Sequence, residues 1–177
     1  MSRISLTLVR TANLLVLLVS MAASAEKIIV IPDKREREYT EYHYAPAIRV
    51  GETVILSGIP AGGPGTYKEQ VRRMFQRTKS ALDAAGARME DVIEIQTFHV
   101  NAKSTADFQK EFTEFLEVHK EFIADGYPAW TAIGNAVLLS PNALVEMRVM
   151  AVIGAGKKMR VERQAAQPTP PAAPQSQ

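Results

Sequence analysis

The chain has 177 residues, no cysteine, and 21 Lys and Arg against 19 Asp and Glu. Without cysteine there is neither a disulfide framework nor a thiol nucleophile, so stability rests on a packed core alone. Charges this nearly balanced leave no basic surplus to displace counterions from phosphates, and no nucleic-acid partner is expected.

Arg3 and Arg10 make the start of the chain positive, and no acidic residue precedes Glu26. The apolar stretch Ala12 to Val19 is too short to span a bilayer. Ala23-Ser24-Ala25 follows with the small-x-small pattern of a signal-peptidase site. Residues 1–25 therefore read as a cleaved export signal, which predicts a periplasmic or secreted protein with no stable membrane anchor. Losing Arg3 and Arg10 with the signal leaves 19 basic and 19 acidic residues, a net charge of zero. Residues 26–154, about 130 in number, have the length of one domain.

Lys27 to Ile31 is short and β-branched, and reads as a strand. Tyr42 to Val50 and Thr53 to Ser57 flank Gly51-Glu52 and predict a hairpin, with Tyr44 and Ser57 on its strands. Gly58 to Gly65 is glycine-rich, but Pro60 and Pro64 remove amide donors that a phosphate cradle would need, so a flexible loop is expected. Thr66 and Glu69 have capping-box spacing. Val71, Met74, Phe75, Thr78, Leu82 and Ala85 follow at helical period, and Gly86 fits the position just past the end.

Asp91 to Val100 alternates, with Ile93, Ile95 and Thr97 on one face and Glu94 and Gln96 on the other. A second helix begins near Ser104, carries Phe108, Phe112, Phe115, Leu116, His119, Phe122 and Ile123 on its apolar stripe, and ends by Gly126 and Pro128. Ala129 to Leu139 and Leu144 to Ile153 flank Ser140-Pro141-Asn142, which predicts a second hairpin. The order β-β-β-α-β-α-β-β is an α+β domain: a mixed six-stranded sheet with two helices on one face. Consecutive apolar residues at Leu144-Val145 and Val149 to Val152 predict a last strand buried on both faces, and hence self-association. Residues 155–177 turn polar and then reduce to Gln, Ala, Pro, Thr and Ser, the composition of a disordered tail.

His43, His99 and His119 are far apart and lack metal-ligand spacing, and no phosphate or dinucleotide motif is present, so neither metal nor cofactor is expected. His119 reads as a satisfied core histidine. Glu146 lies inside an otherwise apolar strand, where a carboxylate is costly unless it is paired or used. It is either paired with Arg148 or Arg49 across the sheet, or a general acid or base. Tyr44 and Ser57 are either ordinary strand residues or part of a polar pocket.

Several segments, taken together and in order, resemble the RidA/YjgF family. They are Arg49-Val50-Gly51-Glu52-Thr53-Val54-Ile55-Leu56-Ser57-Gly58, Ala81-Leu82-Asp83-Ala84-Ala85-Gly86, Thr97-Phe98-His99-Val100, Tyr127-Pro128-Ala129 and Val145-Glu146-Met147. The resemblance covers residues 42–154. It implies a chorismate-mutase-like RidA fold, a homotrimer around a central barrel, and a small-molecule ligand in a cleft between subunits. It also implies hydrolysis of reactive enamine and imine acids to 2-keto acids and ammonia, although family members are also described as endoribonucleases. Carried over by position, Tyr44 and Ser57 bind substrate and Glu146 is catalytic. Trp130 stands where deaminating members have a carboxylate-binding arginine, Ala132 where they have a cysteine and Phe112 where they have an asparagine. An indole offers one N–H and an apolar face in place of a bidentate cation, so the expected ligand is larger and more apolar than a small imino acid. The alternative is a non-catalytic small-molecule binding or protein-protecting module.

Overall fold

Alternation of apolar and polar residues sets the sheet, as the computed structural model, which describes residues 25–164, makes plain. The strands are β1 (Lys27–Val30), β2 (Ala47–Val50), β3 (Thr53–Pro60), β4 (Val92–His99), β5 (Ala129–Gly134) and β6 (Val145–Val152). They form one mixed sheet in the order β1-β2-β3-β6-β4-β5. Two long helices, α2 (Tyr67–Ala84) and α3 (Thr105–Phe122), cover one face, and a short helix α1 (Glu36–Thr40), unforeseen in the sequence, precedes β2. Val54 and Leu56 of β3, Ile95 of β4 and Val145 and Met147 of β6 are fully buried against Val71, Met74, Phe75 and Leu82 of α2 and Phe115 and Val118 of α3.

The α2 start follows the sequence reading closely. The Thr66 hydroxyl accepts from the Glu69 amide, and the Glu69 carboxylate accepts from the Thr66 amide at 2.7 Å. Ser104 caps α3 by accepting from the Asp107 amide at 3.1 Å, but that helix ends at Phe122, earlier than Gly126 and Pro128 suggest. Gly86 adopts φ 85°, the left-handed turn expected after α2.

Four expectations are corrected. Tyr44 is not on a strand: the chain leaves α1 through His43 at φ 57°, the Tyr44 amide donates to the Glu38 carbonyl at 3.1 Å, and β2 begins only at Ala47. The second hairpin does not form. β6 is paired on both sides, with β3 and β4, so β5 can join only at the edge, parallel to β4, and Val137 and Leu139 stay exposed. Ile93 faces outward because the β4–β6 register slips between Val92 and Glu94, which sets Val92, Ile95, Thr97 and His99 inward. The glycine-rich loop is tethered by Arg73, which donates to the carbonyls of Gly62 and Pro64.

The β6 strand alternates strictly: Val145, Met147, Val149 and Ala151 are buried, and Glu146, Arg148, Met150 and Val152 half-buried on the open face. Burial on both faces is thus not reached within one chain. At the other end Ala155–Lys158 form a 3-10 turn, and the Gly156 amide donates to Asp91 at 3.2 Å, so ordered backbone continues past residue 154. Of the export signal expected over residues 1–25, residues 1–24 lie outside the described residues, as do residues 165–177 of the expected tail.

Candidate functional site

Glu146 occupies a β6 position opposite Pro60 on β3 and Phe98 on β4. Between its core neighbours Val145 and Met147, pleating turns its side chain to the open face of the sheet. There the β3–β6 register slips between Leu56 and Ile59, and the carboxylate lies over Gly58. A Cβ at Gly58 would stand 2.0 Å from Glu146 Oε1, so only glycine leaves room for the carboxylate in this place. Gly58→Ala should shift Glu146 and lower any Glu146-dependent turnover by about 100-fold. Comparison of kcat with the far-UV circular dichroism spectrum separates that loss from unfolding.

Neither Arg148 nor Arg49 pairs with Glu146. Arg148 is opposite Gln96, and Arg49 Nε donates to the Gly51 carbonyl at 2.9 Å. Among the described residues no donor reaches the Glu146 carboxylate, and burial alone pushes its pKa above the ordinary carboxylate value. Of the two sequence readings, the cross-sheet ion pair is therefore removed.

Ser57 and Tyr44 meet Glu146 around a cavity of about 850 Å³. The Ser57 hydroxyl donates to the Ala45 carbonyl at 2.7 Å and its amide donates to Pro46 at 3.0 Å, which pins the loop carrying Tyr44 against β3. Burial, and then the nearby Glu38 carboxylate, push the Tyr44 phenol up. The cavity is also lined by Arg35, Glu38 and Arg77, none of which the sequence reading singled out. Their sequence signal is weak: Arg73, Arg77, Ser80 and Ala84 recur at helical spacing along one flank of α2, a pattern more common on a solvated face.

Trp130, Phe112 and Ala132 lie elsewhere in the chain. Trp130 packs its ring on Phe112 at 4.9 Å, Phe115 at 5.3 Å and His119 at 4.8 Å, beneath α3 on the helix-covered side of the sheet. Ala132, two residues on, shares its side of β5 and pairs with Thr97. Within one chain these three residues do not share the Glu146 cavity.

Trp130 instead ends a buried polar chain. Its Nε1–H donates to Thr97 Oγ1 at 3.1 Å, Thr97 Oγ1 is 2.9 Å from His99 Nε2, and His99 Nδ1 is 2.8 Å from Glu111, which also accepts from the Tyr67 hydroxyl at 3.2 Å. A neutral His99 satisfies all of these contacts when Nδ1–H donates to Glu111 and Nε2 accepts from Thr97. Burial, then Glu111, push the Tyr67 phenol up. Glu111 was legible in principle, since it is a carboxylate one turn before Phe115 on the apolar stripe. His119 is buried as expected but not satisfied: neither ring nitrogen has a partner among the described residues, and burial, then Lys120, lower its pKa.

A mixed sheet covered by two helices, with a carboxylate, a serine and a tyrosine gathered around one cavity at a strand irregularity, defines a small α+β domain. The sequence profile of the family described as Endoribonuclease L-PSP matches residues 35–153, and the chain belongs to that family, the RidA/YjgF proteins. Its similarity to the RutC family protein YjgH of Escherichia coli (strain K12) is 34% identity over 115 residues, covering 62% of this chain and 83% of the relative. It is also 31% identical over 117 residues to a 2-iminobutanoate/2-iminopropanoate deaminase of Dermatophagoides farinae, covering 62% of this chain and 85% of the relative. The solved structure of protein YJGH superposes with a TM-score of 0.61 at 30% identity, over 72% of this chain and 97% of that one.

Proposed function

We propose that this protein hydrolyses the C=N bond of reactive imines derived from amino acids, with Glu146 as the catalytic residue. The observation that carries this reading is the unpaired, half-buried Glu146 carboxylate, facing a cavity shared with Tyr44 and Ser57. A base with a raised pKa is suited to proton transfer near neutral pH. As a water oxygen attacks the iminium carbon, Glu146 takes the water proton. It returns that proton to the nitrogen, which leaves as ammonia when the C–N bond breaks, and the hydroxyl proton released as the C=O bond forms passes to Glu146 and on to solvent. The deaminase named among the relatives supports this chemistry.

A second reading, a non-catalytic ligand-binding module, is favoured by one feature: Trp130, Phe112 and Ala132 at positions that carry Arg, Asn and Cys in deaminating members by resemblance. A homotrimer would bring that apolar cluster of one subunit toward the Glu146 cavity of the next. The half-buried Met150, Val152 and Ile55 on the open sheet face supply apolar surface for such an assembly. With residues 1–25 as an export signal, the reaction would take place in the periplasm or outside the cell. The zero net charge after that cleavage weighs against RNA as substrate.

The test is release of ammonia and 2-keto acid from 2-iminopropanoate and 2-iminobutanoate generated in situ by an amino-acid oxidase. Accelerated release over the uncatalysed rate supports hydrolysis. No acceleration, together with saturable binding of apolar ligands, selects the binding module.

A further inference from the structure

The cavity that contains Glu146 is also lined by Arg77, which pairs with no carboxylate among the described residues. Arg77 is held on α2 with its guanidinium donating to the carbonyl of Pro60, the residue directly opposite Glu146 in the β3–β6 register. Arg35 lines the same cavity. Its acidic neighbour Glu38 accepts from Arg35 Nε through Oε1 at 2.7 Å and lies 2.5 Å from Nη2 through Oε2, which makes no hydrogen bond among the described residues. The remaining Arg35 nitrogen, Nη1, is buried and has no partner among the described residues. Arg73 is turned onto the carbonyls of Gly62 and Pro64 in the adjoining hollow, which Arg77 also lines. Burial, then the like charges of Arg35 and Arg73, lower the Arg77 pKa, while only Glu38 opposes them.

We propose that Arg77, assisted by the free Nη1 of Arg35, is the specificity-determining anchor for the carboxylate of an anionic ligand in the Glu146 cavity. A buried donor without an acceptor is costly, and an oxyanion would satisfy it while neutralising the arginine cluster. A planar guanidinium presents two parallel N–H groups to a carboxylate. This inference rests on the cavity being the ligand site of the proposed function. It also supplies a carboxylate-binding cation from α2, so that an arginine at position 130 is not required for a 2-imino acid to bind.

The experiment measures binding of 2-oxobutanoate, the keto acid expected as product, and of uncharged butan-2-one to the full-length processed protein by calorimetry. The wild type should bind 2-oxobutanoate at least tenfold more tightly than butan-2-one. Arg77→Gln should weaken 2-oxobutanoate by roughly 10- to 100-fold, the loss of a charge-assisted pair, with butan-2-one unchanged. Arg77→Lys, which keeps the charge but not the fork, should fall between them. Equal affinity of the wild type for the two probes overturns the proposal without recourse to any variant, and so does an Arg77→Gln protein that binds 2-oxobutanoate within twofold of wild type. An absence of imine turnover combined with Arg77-dependent 2-oxobutanoate binding would remove the hydrolase reading and leave the anchor standing.

Discussion

Glu146→Gln should lower imine hydrolysis by about 10²- to 10⁴-fold, the range for removing a positioned general base. Gln keeps the size of the side chain and its room over Gly58, so the cavity keeps its shape. The pH profile provides a second readout. Burial raises the Glu146 pKa, so the acid limb of kcat/KM should lie above the ordinary carboxylate range, with activity growing as pH rises through it. The effect on stability runs the other way. A carboxyl whose folded pKa lies above its unfolded value favours folding when protonated, and that contribution is lost as pH rises through the folded pKa. At neutral pH the charged Glu146 is therefore a cost, and the Gln variant should melt at the same temperature as wild type or higher. The difference should vanish at acid pH. A large fall in melting temperature, or turnover equal to wild type, would show that Glu146 is structural.

Phe115→Ala should give the largest loss of stability, about 3–5 kcal/mol, as expected for truncating a fully buried phenylalanine. Phe115 is 0% exposed and stands at the meeting point of the two helices and the sheet. Its ring lies 5.6 Å from Phe75 on α2, 5.6 Å from His99 on β4 and 5.3 Å from Trp130 on β5. The cavity left behind would border the His99–Glu111–Thr97 chain, so partial collapse would also strain buried hydrogen bonds. Urea unfolding of Phe115→Ala and Phe115→Leu measures this; Phe115→Leu, which refills most of the volume, should recover more than half of the difference. A loss below 1 kcal/mol in the Ala variant would mean that α3 is not docked as described.

Much of the fold is encoded locally. The Thr66–Glu69 box and the apolar period of α2 depend on residues within one or two turns of each other, and they hold in the structure as the sequence implies. Glu146 stood out for a similar reason, a carboxylate among β-branched and apolar neighbours. What the tertiary structure alone decided was pairing. Whether Glu146 met an arginine depended on the β3–β6 register, and that register carries a slip at Ser57-Gly58 which no local pattern announces. Likewise Ala129 and its successors read as one arm of a hairpin, because Ser140-Pro141-Asn142 is a sound turn, with Asn142 at φ 61°. Yet β6 had both edges occupied by β3 and β4, and β5 was left to pair in parallel at the sheet margin. The arginines of the cavity belong to the same class of fact. Arg35 and Arg77 are 42 positions apart in the sequence, each unremarkable in its own segment, and only the packing of the α1 region near α2 brings both to the cavity that Glu146 lines. Helical and strand period report contacts between near neighbours, whereas a site is made of contacts across the chain, whose energies depend on burial and charge that exist only once the domain has closed.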